Sequence, residues 1–170
     1  MRYCATDRSW RIHVAHDPAA SPISVFHRYQ QEIWNEGALD KLPEIVADPY
    51  RRHYPGKIEI LTNADLATRI RYYRRGLNEV IFHSVLETCA GPFVTSVWET
   101  LGTTKKGQRL CTSGIEVFKV EHGLITEVWN GHAQDGQWAW NLKWDRPVRP
   151  SDFVDVQARV RDWGQQTVAD

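Results

Sequence analysis

An α+β fold is what the order of patterns along these 170 residues predicts: N-terminal helices packed on one face of a curved antiparallel sheet. Two observations carry it. Up to Gly76, apolar residues recur at steps of three and four, as on a helix face. Beyond Gly76 the chain turns to runs rich in Val, Thr and aromatics, separated by glycine turns, as in strands. A third feature, eight Trp, six Tyr and five Phe, supplies both a core and the walls of a pocket for a flat apolar ligand.

The elements follow in order. Residues 1–21 have no clear period and read as an N-terminal extension. Ser21-Pro22 opens the first helix, Ser as N-cap and Pro in the first turn, with Ile23, Phe26, Gln30, Ile33 and Trp34 at helical spacing and Gly37 as C-cap. A shorter helix carries Leu39, Leu42, Ile45 and Val46 and ends before Asp48-Pro49. A third begins near Thr62 or Asn63, with Leu66, Ile70, Tyr73 and Leu77 as its apolar stripe. Strands are expected at Ile81–Thr88, Phe93–Thr104, Arg109–Glu121 and Leu124–Ala133. Gly91-Pro92, Lys106-Gly107 and His122-Gly123 punctuate them. The main domain spans 22–140. A Pro- and charge-bearing linker then leads through a C-terminal extension, 141–170, in which Phe153–Trp163 reads as a last helix.

Lys+Arg and Asp+Glu are both 21, so charge asks for neither a nucleic-acid nor a membrane partner. No apolar run approaches the roughly 20 residues of a membrane helix, and the N-terminus lacks an apolar signal core. Cys4, Cys89 and Cys111 are odd in number and without metal-like spacing, which fits a reducing, cytoplasmic setting.

Two assumed two-residue turns set a register. With His122-Gly123 as a hairpin loop, Val117 pairs with Val128, Ile115 with Asn130 and Ser113 with His132. With Lys106-Gly107 as the other, Thr100 pairs with Ser113 and Trp98 with Ile115. One face then holds Ser96, Trp98, Thr100, Ser113, Ile115, Val117, Val128, Asn130 and His132, and reads as the pocket. Val97, Glu99, Gly114, Glu116, Phe118, Glu127 and Trp129 fall on the other face. A one-residue bulge in either hairpin would exchange faces and make Glu116 the leading general base.

The stretches "YQQEIWNEGALDKLPEIVADPYRRHYPG", "ADLATRIRYYRRGL" and "SGIEVFKVEHGLITEVWN" resemble the SnoaL-like polyketide cyclases of the nuclear-transport-factor-two-like superfamily, over roughly Val25 to Trp138. The resemblance implies a conical fold, a strongly curved antiparallel sheet wrapped around a long N-terminal helix with an apolar internal cavity at its open end, and a homodimer through the sheet. It implies ring closure by intramolecular aldol condensation without metal or cofactor, with isomerases, dehydratases and plain binding proteins among the relatives. The cyclases commonly carry Asp directly after the last Trp of this signature. Here Asn130 stands there, and Ala133 where some relatives have another Asp.

An amide cannot act as general base, but it can hold a carbonyl or enolate oxygen. Asn130 is therefore expected to steady an oxyanion, while His132 or His83 moves the proton, an unperturbed pKa of about 6.5 suiting acid–base work near neutrality. Trp98, Ser113, Ile115, Val117, Val128, His53 and Tyr54 are the expected substrate contacts. No His-x-His pair points to a metal. The expected activity is that of a cofactor-free cyclase, isomerase or lyase on a small apolar carbonyl compound. The alternative is a carrier that binds such a compound unchanged. The arginines of the helix carrying Arg69–Arg75 read either as a solvated face or as a dock for a carrier protein or coenzyme A.

Overall fold

The structure is a computed structural model and describes residues 17–138 apart from Pro18, His132 and Gln137. The expected helix Phe153–Trp163, most of the N-terminal extension and His132 lie outside the described residues.

Helix α1 (Pro22–Arg28) is capped by Ser21, whose hydroxyl accepts from the Ser24 N–H, and continues in wider π-helical turns over Tyr29–Glu36. Gly37 ends it at φ +76°, the left-handed conformation glycine adopts without a Cβ penalty. A 3₁₀ turn (Leu39–Lys41) leads into α2 (Leu42–Ile45). Strands β1 (Val46–Tyr54) and β2 (Lys57–Leu61) follow, then α3 (Asn63–Arg74). Thr62 and Asp65 close a reciprocal capping box at the start of α3: the Asp65 N–H donates to Thr62 Oγ1 at 3.2 Å, and the Thr62 N–H donates to Asp65 Oδ2 at 2.9 Å. Then come β3 (Leu77–Ala90), β4 (Phe93–Thr104), β5 (Arg109–Glu121), β6 (Leu124–Asn130) and the short β7 (Gln134–Asp135).

The strands form one sheet in the order β2-β1-β6-β5-β4-β3, with β7 on β5. All of its pairs are antiparallel except β1 with β6, so the sheet is mixed rather than antiparallel throughout. Two of its strands, β1 and β2, lie where the sequence pattern gave none. The helices cover one face, and the core forms between: Phe26, Tyr29, Ile33, Leu42, Ile45, Tyr50, Leu66, Ile70, Val94, Phe118, Ile125 and Val128. Among the described residues no helix is long and apolar enough to cross a membrane.

The register departs from expectation twice, once on each side of β5. His122 and Gly123 both have positive φ, and Glu121 pairs with Leu124, as the two-residue loop predicts. Two steps on, Val120 pairs with Ile125 but Lys119 with Glu127, leaving Thr126 as a bulge. Asn130 is thereby brought opposite Glu116. In the other hairpin the Thr104 N–H donates to the Gln108 carbonyl at 2.8 Å, so the loop is Lys105–Lys106–Gly107, one residue longer than expected. Thr100 therefore pairs with Thr112 and Trp98 with Gly114. Strand β5 is turned over relative to its predicted facing, while β4 and β6 keep theirs. Gly114, Glu116 and Phe118 share the helix-side face with Trp98 and Asn130, and Ser113, Ile115 and Val117 lie on the outer face.

Candidate active site

A cavity of about 270 Å³ opens between the inner sheet face and the helices. Its wall on one side is a run of rings. Trp34 stacks on Phe82 at 5.7 Å between centroids, Phe82 on Trp98 at 5.0 Å, and Tyr73 meets Trp34 edge-on at 5.6 Å. Trp34 comes from the π-helical turns, Tyr73 from α3, Phe82 from β3 and Trp98 from β4. The indole of Trp98 reaches across to β5 over Gly114, where a Cβ would sit 2.5 Å from Trp98 Cζ2. Glycine at 114 is thus what lets a flat indole lie there.

The polar end is built by three strands. Alternation along β1 turns Tyr50, Arg52 and Tyr54 inward; Glu116 of β5 and Asn130 of β6 stand opposite one another. Arg52 Nη2 donates to Glu116 Oε1 at 3.0 Å and also to Asn130 Oδ1. The Asn130 amide donates in turn to the His53 carbonyl at 3.4 Å. The side chains of Arg52 and Glu116 are 10% and 12% exposed, so this ion pair sits out of bulk water. Burial raises the Glu116 carboxyl above the usual carboxylate range, against the opposite pull of Arg52. Arg52, though its burial works against charge, is held firmly cationic by Tyr50 and Glu116. Glu116 Oε2 has no hydrogen-bond partner among the described residues. The site therefore combines a poised carboxyl with a free oxygen, a fixed cation and a carboxamide, facing an aromatic-walled space.

Arg69 borders the same cavity from α3, donating to Tyr54 Oη at 3.0 Å and to Glu59 Oε2 at 2.8 Å. Arg74 is spent on the Trp34 and Asn35 carbonyls. Of the arginines in "RIRYYRR", Arg71 and Arg75 are the exposed ones.

Asn130, Trp98 and Tyr54 line the cavity, and Val128 lies beneath it in the core. Corrections concern the rest. Ser113, Ile115 and Val117 face outward because β5 is turned over. His53 is on the outer side of β1, stacked on Trp129 at 4.6 Å and bonded to Glu127 at 2.8 Å. His83 faces outward opposite Glu99, 3.5 Å away. Glu116 reaches the site through the register slip that the sequence reading names as its condition; the residues that reading does not place in the pocket are Arg52, Arg69, Phe82, Trp34 and Thr112. For Arg52 a signal existed: Tyr50, Arg52 and Tyr54 alternate, as on a half-buried strand. Cys111 is no nucleophile here; burial, reinforced by Glu99, pushes its thiol up to about 12. Among the described residues no three His, Cys, Asp or Glu are placed to hold a metal ion.

No family model and no curated protein matches the sequence. Solved structures do resemble the fold. A protein from Acidithiobacillus ferrooxidans assigned as a polyketide cyclase is 20% identical with a TM-score of 0.59, over 66% of this chain and 88% of that one. A SnoaL-like polyketide cyclase from Agrobacterium tumefaciens is 14% identical with a TM-score of 0.57, over 68% and 92%. AclR from Streptomyces galilaeus, assigned as a hydroxylase, is 12% identical with a TM-score of 0.55, over 65% and 86%. The chain has the fold of the SnoaL-like polyketide cyclases, and that fold serves more than one reaction.

Proposed function

We propose that this protein is a small-molecule enzyme that moves a proton at the carbon beside a carbonyl, as a cyclase, isomerase or lyase acting on an apolar keto compound. The observation that carries the reading is the Arg52–Glu116–Asn130 group at the end of an aromatic-walled cavity. Glu116 takes the proton through its unpartnered Oε2, breaking the C–H bond and leaving the electron pair as an enolate. Its carboxylate charge is thereby lost, and Arg52 exchanges it for the enolate oxygen. The net charge of the site stays constant, and the cation is in place before the charge develops. The Asn130 N–H is the second donor to that oxygen. A carboxyl held above its ordinary range is a stronger base than a free one, which suits this task. Glu116 takes here the proton-moving role expected of His132 or His83; of these, His83 faces outward and His132 lies outside the described residues.

Exchange of the C2 protons of 1-tetralone in D₂O tests this. The wild type should exchange them well above buffer, and Glu116→Gln should lose about a hundredfold or more of that rate. Exchange at the buffer rate, with tetralone bound and recovered unchanged, would instead establish a carrier.

A homodimer through the outer sheet face belongs to the same proposal. Leu86, Val97 and Ile115 form a cross-strand row there, with Leu86 and Ile115 about half exposed. Delivery of substrate by a carrier protein or coenzyme A would have to engage Arg71 and Arg75, since Arg69 and Arg74 turn inward.

A further inference from the structure

Opposite the polar end, the same cavity has a second hydrogen-bonding pole. Thr100 of β4 and Thr112 of β5 are directly paired, both line the cavity, and they are 5% and 4% exposed. Neither hydroxyl has a hydrogen-bond partner among the described residues. Nearby on this face Ser84 and Ser96 meet at 2.8 Å and Gln30 donates to Ser84 at 3.0 Å, whereas Tyr50 Oη and Trp98 Nε1 are sealed in without a partner. Neither threonine oxygen is among the polar atoms sealed off without a partner, so both open onto the cavity and whatever fills it supplies their hydrogen bonds. Two side by side on a cavity wall are explained if a ligand completes them.

We propose that Thr100 and Thr112 select a two-ring ketone bearing a second oxygen at its far edge. This rests on the reading of the Glu116 end as the site that receives the carbonyl. Thr112 and Glu116 are four residues apart on one strand face, which at about 3.3 Å per residue is about 13 Å. Taking off a hydrogen bond of about 2.8 Å at each end leaves about 7–8 Å between the two ligand oxygens. Two fused six-membered rings span that gap; a single ring falls short. Between the poles, Gly114 carries the flat indole of Trp98, a surface for such a ring system.

Calorimetric titration with 6-hydroxy-2-tetralone, whose oxygens lie about 7–8 Å apart across both rings, and 6-methyl-2-tetralone tests the proposal, since the pair differ by a hydroxyl replaced with a methyl of similar size. The wild type should bind the hydroxy compound about tenfold tighter. In Thr100→Val/Thr112→Val that preference should vanish, with the methyl compound bound at least as well as before. Either single variant should show part of the loss, and thermal melting checks that each is folded. Equal binding of the two compounds by the wild type, a preference that survives in the double variant, or no binding of either compound would each overturn it. Proton exchange at C2 of 1-tetralone is read separately. Preference without exchange removes the proton-transfer reading and leaves this one standing, and exchange without preference does the reverse.

Discussion

Trp98 and Gly114 are paired across β4 and β5, and the indole occupies the space a side chain at 114 would need, within 2.5 Å of where its Cβ would be. Real Cβ contacts are not that close, so Gly114→Ala must push the indole off the sheet. Overpacking of this kind typically costs about 1–3 kcal/mol. Chemical denaturation should show that loss in Gly114→Ala, together with weaker tetralone binding. Adding Trp98→Phe should recover part of the stability, a coupling a double-mutant cycle measures.

Asn130→Ala should keep the fold and lower the C2 exchange rate about a hundredfold or more, because one of the two donors to the enolate oxygen is removed. Circular dichroism beside the exchange assay separates the two effects. Asn130→Asp should behave differently. A second carboxylate next to Glu116 disfavours ionisation of both, so its rate profile should move to higher pH.

The pH dependence has a definite sign. Glu116 acts as a base only when ionised, and burial places its carboxyl above the usual carboxylate range. Exchange should therefore rise with pH through that raised value, with the rising limb above the pH at which an exposed glutamate titrates. For stability the direction reverses. A group whose folded pKa is raised contributes fully below its unfolded pKa and loses that contribution as pH rises through the folded one. The stability difference between wild type and Glu116→Gln, followed by denaturation across pH, checks this.

Arg52→Met leaves Glu116 buried without its cation, and breaking such a pair costs about 3–5 kcal/mol. The variant should be markedly destabilised near neutral pH and recover as acid protonates Glu116. A loss that stayed constant down to acid pH would show the pair to be unimportant.

On the outer face, His53 bonds to Glu127 and holds its carboxyl below the usual range, with Lys119 helping. That contribution is present above the unfolded carboxylate pKa and fades as pH falls through the depressed one. Glu127→Gln should accordingly flatten the acid side of the stability curve, seen by thermal melting, without moving the pH profile of exchange.

What was legible in the sequence was the local chemistry. Helix starts at Ser21 and Thr62 announced themselves through capping residues, and the His122-Gly123 turn gave the pairing of Glu121 with Leu124. What escaped was counting along β5. The Thr126 bulge has no sequence mark, and Lys106-Gly107 looks the same in a two- or three-residue loop. Because one such error lies on each side of β5, they cancel between β4 and β6. Trp98 and Asn130 were therefore assigned to the right face while Ile115 displaced Glu116. Strand β1 was hidden for another reason: Pro49 and three charged residues break its apolar pattern, and its parallel partner is not announced by any turn. The inward course of Arg69 depends on Glu59 and Tyr54, neighbours that only the tertiary structure supplies.

The parallel contact of β1 with β6 has a consequence for biogenesis. Arg52 and Asn130 are 78 positions apart, with α3 and four strands between them. A ribosome-bound chain that has not yet extruded Leu124–Asn130 holds its guanidinium without the carboxamide, however well its helices have formed. Competence to bind and turn over a ligand should therefore emerge in one late step of synthesis, and any C-terminal truncation reaching β6 should abolish it outright rather than by degrees.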